Sequence, residues 1–158
     1  VSIQPGDLVD VAFTPQVNEF RGTRTVQMNV IDIRPSCNAE CLPDAAPYRD
    51  MQRGNLTPGE AAALLPDRKM LALVWRYLDA ANPVQESPVC LCRKIVRWSG
   101  QPLNLGQMLT CLDIFRDVGL LTVQRQHKYV SIRLTPGEGK ADLSQSQTMQ
   151  RLLHAKES

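Results

Sequence analysis

SPVCLCRKIVRWSGQPLNLGQMLTCLDIFRDVGLLTVQRQHKYVSIRL, residues 87–134, is the stretch on which the fold turns. Ser87 followed by Pro88 is a helix start: a serine hydroxyl satisfies an orphan amide of the first turn, and proline has no amide to leave unpaired. Leu91, Ile95 and Trp98 then share one face of a helix that Gly100 stops, while Arg93, Lys94 and Arg97 take the opposite face. Asn104 caps a second helix, with Leu105, Met108, Leu109, Leu112 and Phe115 inward and Gly119 as its stop. Its polar side, Gln107, Thr110, Asp113, Arg116 and Asp117, is close to neutral and poorly equipped to read base edges within a basic frame. Residues 120–123 and 129–134 follow as two short strands joined by the polar turn 124–128.

Upstream, Thr57-Pro58-Gly59-Glu60 is a capping-box pattern that starts a short helix ended by Pro66. Asp67 caps the next helix, in which Met70, Leu71, Val74, Trp75 and Leu78 make one buried face as far as Ala81. Helices followed by a hairpin is the order of a winged helix. Downstream, Ser144 or Ser146 starts a terminal helix.

The N-terminal part has a different period. In residues 8–13, LVDVAF, Val9, Val11 and Phe13 alternate with Asp10 and Ala12, and in residues 25–33, TVQMNVIDI, Val26, Met28 and Val30 oppose Gln27 and Asn29. With residues 18–22 as a loop, these make an antiparallel hairpin. Two strands alone are marginal in water, so the hairpin reads as the tail of a larger sheet. Residues 34–55 hold no sustained period, and 36–55 reads as a linker, with Tyr48 and Met51 available to pin it down. The expected class is α+β, with a partial β domain over 1–35, a linker over 36–55 and a winged-helix-like domain over 56–158.

Composition bounds the function. The 158 residues are 43% hydrophobic and 22% charged, which excludes wholesale disorder. The longest apolar runs, 61–65 and 70–75, fall far short of the roughly 18 residues of a membrane span. Eighteen Lys and Arg against 16 Asp and Glu is too small an excess to identify a nucleic-acid partner by itself. Aromatic residues are only 5%, so single-strand binding would lean on arginine more than on a stacking platform. The chain starts at Val1 without a signal-peptide pattern, and the expectation is a piece of a larger cytoplasmic protein. Its five cysteines are an odd number and are expected to be reduced. Cys37-x3-Cys41 and Cys90-x-Cys92 depart from the usual spacing of a zinc knuckle; the alternative is free thiols behaving as small hydrophobes.

Catalytic groups are few. His127 and His154 have no carboxylate or thiol at metal-ligand spacing, no nucleophile elbow is present, and TPGEGK at 135–140 lacks the strand-loop-helix order of a phosphate loop. No catalytic residue is assigned. The basic residues lead further: Arg21 and Arg24 with Asn18 at the first hairpin, where forked donors suit phosphate oxygens, and Arg93, Lys94 and Arg97 with Arg125, Lys128 and Arg133 in the second half.

NEFRGTRTVQM at 18–28, running into IDIR at 31–34, resembles the end of the OB-fold in the bacterial RecJ family of single-stranded-DNA-specific exonucleases. LLPDR at 64–68, VWRYL at 74–78, LDIF at 112–115 before VGLL at 118–121, and GKADLSQS at 139–146 resemble the C-terminal extension of some bacterial members. The resemblance implies a parent phosphoesterase that degrades single-stranded DNA from the 5′ end with Mn2+ or Mg2+ held by Asp and His ligands. The Asp-His-His signature of those ligands is absent from this sequence. What the resemblance implies here is a non-catalytic C-terminal fragment of a repair and recombination exonuclease, itself without cofactor. Arg21 and Arg24, with Asn18 and Gln27, would face DNA. The implied partners are single-stranded DNA and a single-strand-binding protein or other repair protein, with no membrane. Two alternatives stay open. One is a protein-interaction module whose Arg93, Lys94 and Arg97 face receives an acidic peptide; the other is a winged-helix transcriptional regulator.

Overall fold

The computed structural model describes residues 3, 5, 9–35, 45–126, 129–137 and 140–158. The protein is α+β and divides into two compact units, Val1–Ser36 and Cys37–Ser158.

The first unit is a long ribbon in which β1 (Val9–Phe20) and β2 (Thr23–Pro35) pair antiparallel. The expected loop over 18–22 is instead a two-residue turn, Arg21-Gly22, because both residues take positive φ (51° and 77°) and so match the twist of the flanking strands. One bulge punctuates the ladder: Ala12 faces Asp32 but Phe13 faces Val30, leaving Ile31 as the extra residue. Its cause lies in the pattern of β2. Val26, Met28 and Val30 fall on even positions but Ile33 on an odd one, and a single extra residue restores phase so that Ile33 joins the apolar face opposite Val11.

The ribbon is therefore two-faced. Val11, Phe13 and Val17 with Val26, Met28, Val30 and Ile33 make one side; Thr14, Gln16 and Asn18 with Thr25, Gln27 and Asn29 make the other. The first strand was expected half-buried, but the apolar side of the ribbon is uncovered, from 38% exposed at Val11 on β1 to 76% at Val26 on β2. Among the described residues of this unit there is no third strand to cover them.

Among its described residues, the second unit builds one core from six α-helices and a small sheet: α1 (Ala46–Arg53), α2 (Pro58–Leu64), α3 (Arg68–Ala81), β3 (Val84–Glu86), α4 (Pro88–Ser99), α5 (Leu105–Asp117), β4 (Leu121–Gln126), β5 (Tyr129–Leu134) and α6 (Gln147–Glu157). The caps anticipated from local spacing form as hydrogen bonds: Asp67 Oδ1 accepts from the Met70 amide at 2.8 Å, Ser87 Oγ from Cys90 at 3.2 Å, Asn104 Oδ1 from Gln107 at 2.8 Å and Ser146 Oγ from Met149 at 3.2 Å. Thr57 and Glu60 close the capping box of α2. The strands form an antiparallel sheet in the order β3-β5-β4.

Three differences from expectation matter for function. Residues 46–53 are a helix and not a loop; Pro47 opens it, Gly54 closes it in the left-handed region, and Tyr48 and Met51, three apart, bury one face. Trp98 does not line the core with Leu91 and Ile95 but is 52% exposed. Most important, α5 has no solvent side over most of its length. From Leu105 to Phe115 every residue but Gln107 is buried, because α1, α2 and α6 pack over the side that α3, α4 and β4 leave open.

Candidate functional site

On the ribbon, four amide side chains of the polar face are linked across the strands. Asn18 Nδ2 donates to Gln27 Oε1, Gln27 Nε2 to Asn29 Oδ1 at 3.5 Å, and Asn29 Nδ2 to Gln16 Oε1 at 2.6 Å. Each amide keeps further donor or acceptor capacity toward solvent. Asn18 and Gln27, expected at the DNA face, are thus neighbours. The two arginines expected beside them are placed differently. Arg24 pairs in register with Glu19 and forms an ion pair with it at 3.6 Å, which puts it on the apolar side of the ribbon, away from Asn18 and Gln27. Arg21 sits in the turn with its guanidinium 5.2 Å from the Phe20 ring centroid. Of the original four, Asn18, Gln27 and the turn residue Arg21 can meet one ligand, and Gln16 and Asn29 extend the set. Their signal was present as alternate amides on a strand.

In the second unit Arg93, Lys94 and Arg97 all lie on the exposed side of α4, a helix that carries no Asp or Glu. Lys94 donates to Glu86 Oε1 on β3, a bond that holds its ammonium above the ordinary lysine range. Glu86 Oε2 is buried with no hydrogen-bond partner among the described residues. Beside them Trp98 meets Tyr77 of α3 edge-on, ring centroids 5.6 Å apart at 72°.

Arg125, expected with these residues, is exposed, and its guanidinium joins a partly buried network. Arg125 Nη2 donates to Tyr48 Oη at 2.9 Å, Tyr48 Oη donates to Asp113 Oδ2 at 2.7 Å, and Arg116 Nη2 lies 3.3 Å from Asp113 Oδ1. The guanidinium of Arg125 also lies 6.0 Å from the Tyr48 ring centroid. Tyr48, from the segment expected to be a linker, therefore bolts α1 to α5 and β4. Lys128 and His127 lie outside the described residues. The other supposed solvent-side groups of α5 are engaged too. Thr110 Oγ1 donates to the Gly106 carbonyl at 2.8 Å, and Asp117 Oδ2 accepts from Ser146 Oγ at 2.7 Å and the Thr148 amide at 2.9 Å, fixing the start of α6. The polar edge of this helix holds the protein together and is not presented to a groove.

Burial pushes the Tyr48 phenol up to about 12, and the adjacent Asp113 carboxylate adds to the effect. The unfolded chain releases this proton near the ordinary value of about 10, so the associated stability is full below that pH and lost as pH rises from about 10 to about 12. The expected loss is about 2 to 3 kcal/mol across that window, seen as an alkaline fall in the urea midpoint that Tyr48→Phe reduces by that amount, the rest coming from other groups such as the buried Cys111 thiol.

Among the described residues, no group of three or more His, Cys, Asp or Glu could hold a metal ion. Cys37 and Cys41, half of the four-thiolate possibility, lie outside them. Cys92 and Cys111 are buried and Cys90 half-buried, and burial raises the Cys111 thiol to about 12, which makes it inert as a nucleophile. His154 is exposed near the end of α6. Among the described residues, no helix is long and apolar enough to cross a membrane. No family model, curated protein or solved structure matches the chain.

Proposed function

We propose that this chain is the non-catalytic C-terminal part of a single-stranded-DNA-specific 5′-to-3′ exonuclease of the RecJ type, acting in DNA repair and recombination. The ribbon contributes strand binding, and the helical unit serves DNA or a repair partner. The observation that carries the reading is the two-faced ribbon. Its uncovered apolar side is what the terminal strands of an OB barrel would turn inward, and its polar side presents a ladder of amides beside the arginine of the turn. The motif order of the sequence supports the same family. The metal site, Mn2+ or Mg2+, would belong to the parent enzyme's phosphoesterase lobes. In the helical unit, the order helix, strand, helix, helix and two strands supports a winged-helix-like description, with β3 beside β5 as the first strand of such a sheet. Duplex reading through α5, as a transcriptional regulator needs, would require α1 and α6 to leave.

Arginine 21 supplies the test. Arg21→Glu is expected to weaken single-stranded DNA binding and to reduce the slope of log K against log salt by about 0.7, the value of one phosphate contact on a single strand. Asn18→Ala with Gln27→Ala is expected to weaken binding with the slope unchanged, since amides release no counterions. Binding and slope both unaltered in Arg21→Glu would sink the assignment.

A further inference from the structure

The outer face of the three-stranded sheet takes no part in the packing of the second unit. Alternation along the strands sends Val84, Leu121, Val130 and Ile132 into the core. It leaves Gln85 of β3, Thr122, Gln124 and Gln126 of β4, and Tyr129, Ser131 and Arg133 of β5 on the opposite side. All of these but the half-buried Ser131 are exposed, and none is Asp or Glu. Register sets them in rows: Gln85, Ser131 and Gln124 cross the middle of the sheet, Gln126 stands beside Tyr129 at one end, and Thr122 beside Arg133 at the other. Tyr129 is 52% exposed, a large ring left to solvent on an otherwise polar face.

We propose that this sheet face is a second binding site for single-stranded nucleic acid, with Tyr129 stacking one base, the glutamine amides meeting neighbouring base edges and Arg133 holding a phosphate. An exposed ring on a sheet suits an unpaired base, whose π-face is free, whereas a duplex keeps its base faces within the stack. Each glutamine offers both a donor and an acceptor, so Gln85, Gln124 and Gln126 can answer any base edge, and the site gives affinity without sequence preference. Tyr129 and Arg133 lie about 13 Å apart along β5, which separates a stacked base from a phosphate further along the same strand. The charge is complementary to a phosphodiester chain, with one cation and no carboxylate on the face. A protein partner would draw its affinity from an apolar cluster at the centre of its footprint, and here the centre is the polar row. The inference rests on the reading that this chain works on single-stranded DNA, but it concerns a different unit from the ribbon.

The test uses the full chain and a labelled oligothymidine, read by anisotropy over a salt series. Tyr129→Ala is expected to weaken binding at least about fivefold with the salt slope intact, and Tyr129→Phe to keep most of the affinity. Arg133→Gln, a surface change that leaves the core alone, is expected to reduce the slope by about 0.7. Should Tyr129→Ala fail to fold by circular dichroism, Arg133→Gln decides. If Tyr129→Ala and Arg133→Gln both bind like wild type while Arg21→Glu binds more weakly, this site is overturned and the ribbon reading stands. If they weaken binding and Arg21→Glu does not, the site stands and the ribbon reading falls. If wild type binds no oligothymidine, both fall. A duplex of the same length that binds as tightly as the single strand, and needs Tyr129 to do so, also overturns the proposal.

Discussion

Replacing Phe115 by alanine is expected to destabilise the helical unit by about 3 to 5 kcal/mol, the range for truncating a buried aromatic in a core that relaxes only partly. Phe115 is 2% exposed near the end of α5, and its ring meets Trp75 of α3 edge-on at 5.2 Å and 64°. Three contributions add up: lost transfer of the ring from water, the cavity left among α3 and α5, and an aromatic pair worth about 0.5 to 1.5 kcal/mol beyond its area. A domain of this size has about 5 to 15 kcal/mol of stability in all, so the variant approaches the threshold of folding. Urea denaturation checks it. The midpoint should fall with m unchanged, Phe115→Leu should lose clearly less, and a loss below about 1 kcal/mol for the alanine would show that the ring is not a keystone of this core.

The second large effect is expected at Asp113, a carboxylate only 4% exposed in the network that joins three elements. Asp113→Ala leaves the Tyr48 hydroxyl without an acceptor and two guanidiniums without their counter-charge, at a cost of about 3 kcal/mol. The arginines reach solvent, which keeps the cost below that of a fully buried pair. Tyr48→Phe keeps the ring under α1 and removes one hydroxyl, costing about 1 to 2 kcal/mol. The two changes remove the same bond, so the double variant should lose less than the sum by about 1 kcal/mol or more. Strict additivity would show that the bond contributes nothing. Asp113→Asn is expected to be the mildest, because it can still accept from Tyr48 and because burial already disfavours the charged carboxylate, raising its pKa. Loosened α1 should also appear as faster hydrogen exchange over 46–53, since Arg151 donates to the Met51 carbonyl at 3.3 Å from α6 and that bond would go with it.

The helices that were readable in advance are those whose signals are local. A cap is a side chain meeting an amide three residues on, so Thr57, Asp67, Ser87 and Asn104 announce themselves in any window of a few residues. The eight residues of α1 hold too few repeats to establish a period, and the three of β3 none at all. Both owe their form to partners distant in sequence: Tyr48 to Asp113, and Val84 to Ile132. On the ribbon, alternation revealed two faces, but the bulge at Ile31 decides which residues of β2 belong to each, and cross-strand register decides that Arg24 turns away from Asn18. Among the candidate residues, Arg93, Lys94 and Arg97 lie on the exposed face that helical spacing predicted, because a charged stripe on an amphipathic helix has nowhere else to go.

By itself, then, the sequence determined an α+β protein, the β-ribbon, the five helices α2 to α6 of the second unit and the exposed cationic side of α4, all consequences of periodicity and capping over short distances. Only the tertiary structure decided the fate of α5. A neutral polar edge looked like a weak surface for DNA. It is a seam, buried at Thr110 and Asp113 and hydrogen-bonded at the exposed Asp117, because Tyr48 and Ser146, 65 and 29 residues away from their partners Asp113 and Asp117, come back to satisfy it. Desolvating a carboxylate is unfavourable unless hydrogen bonds answer it, and which bonds do so depends on segments that no local pattern connects.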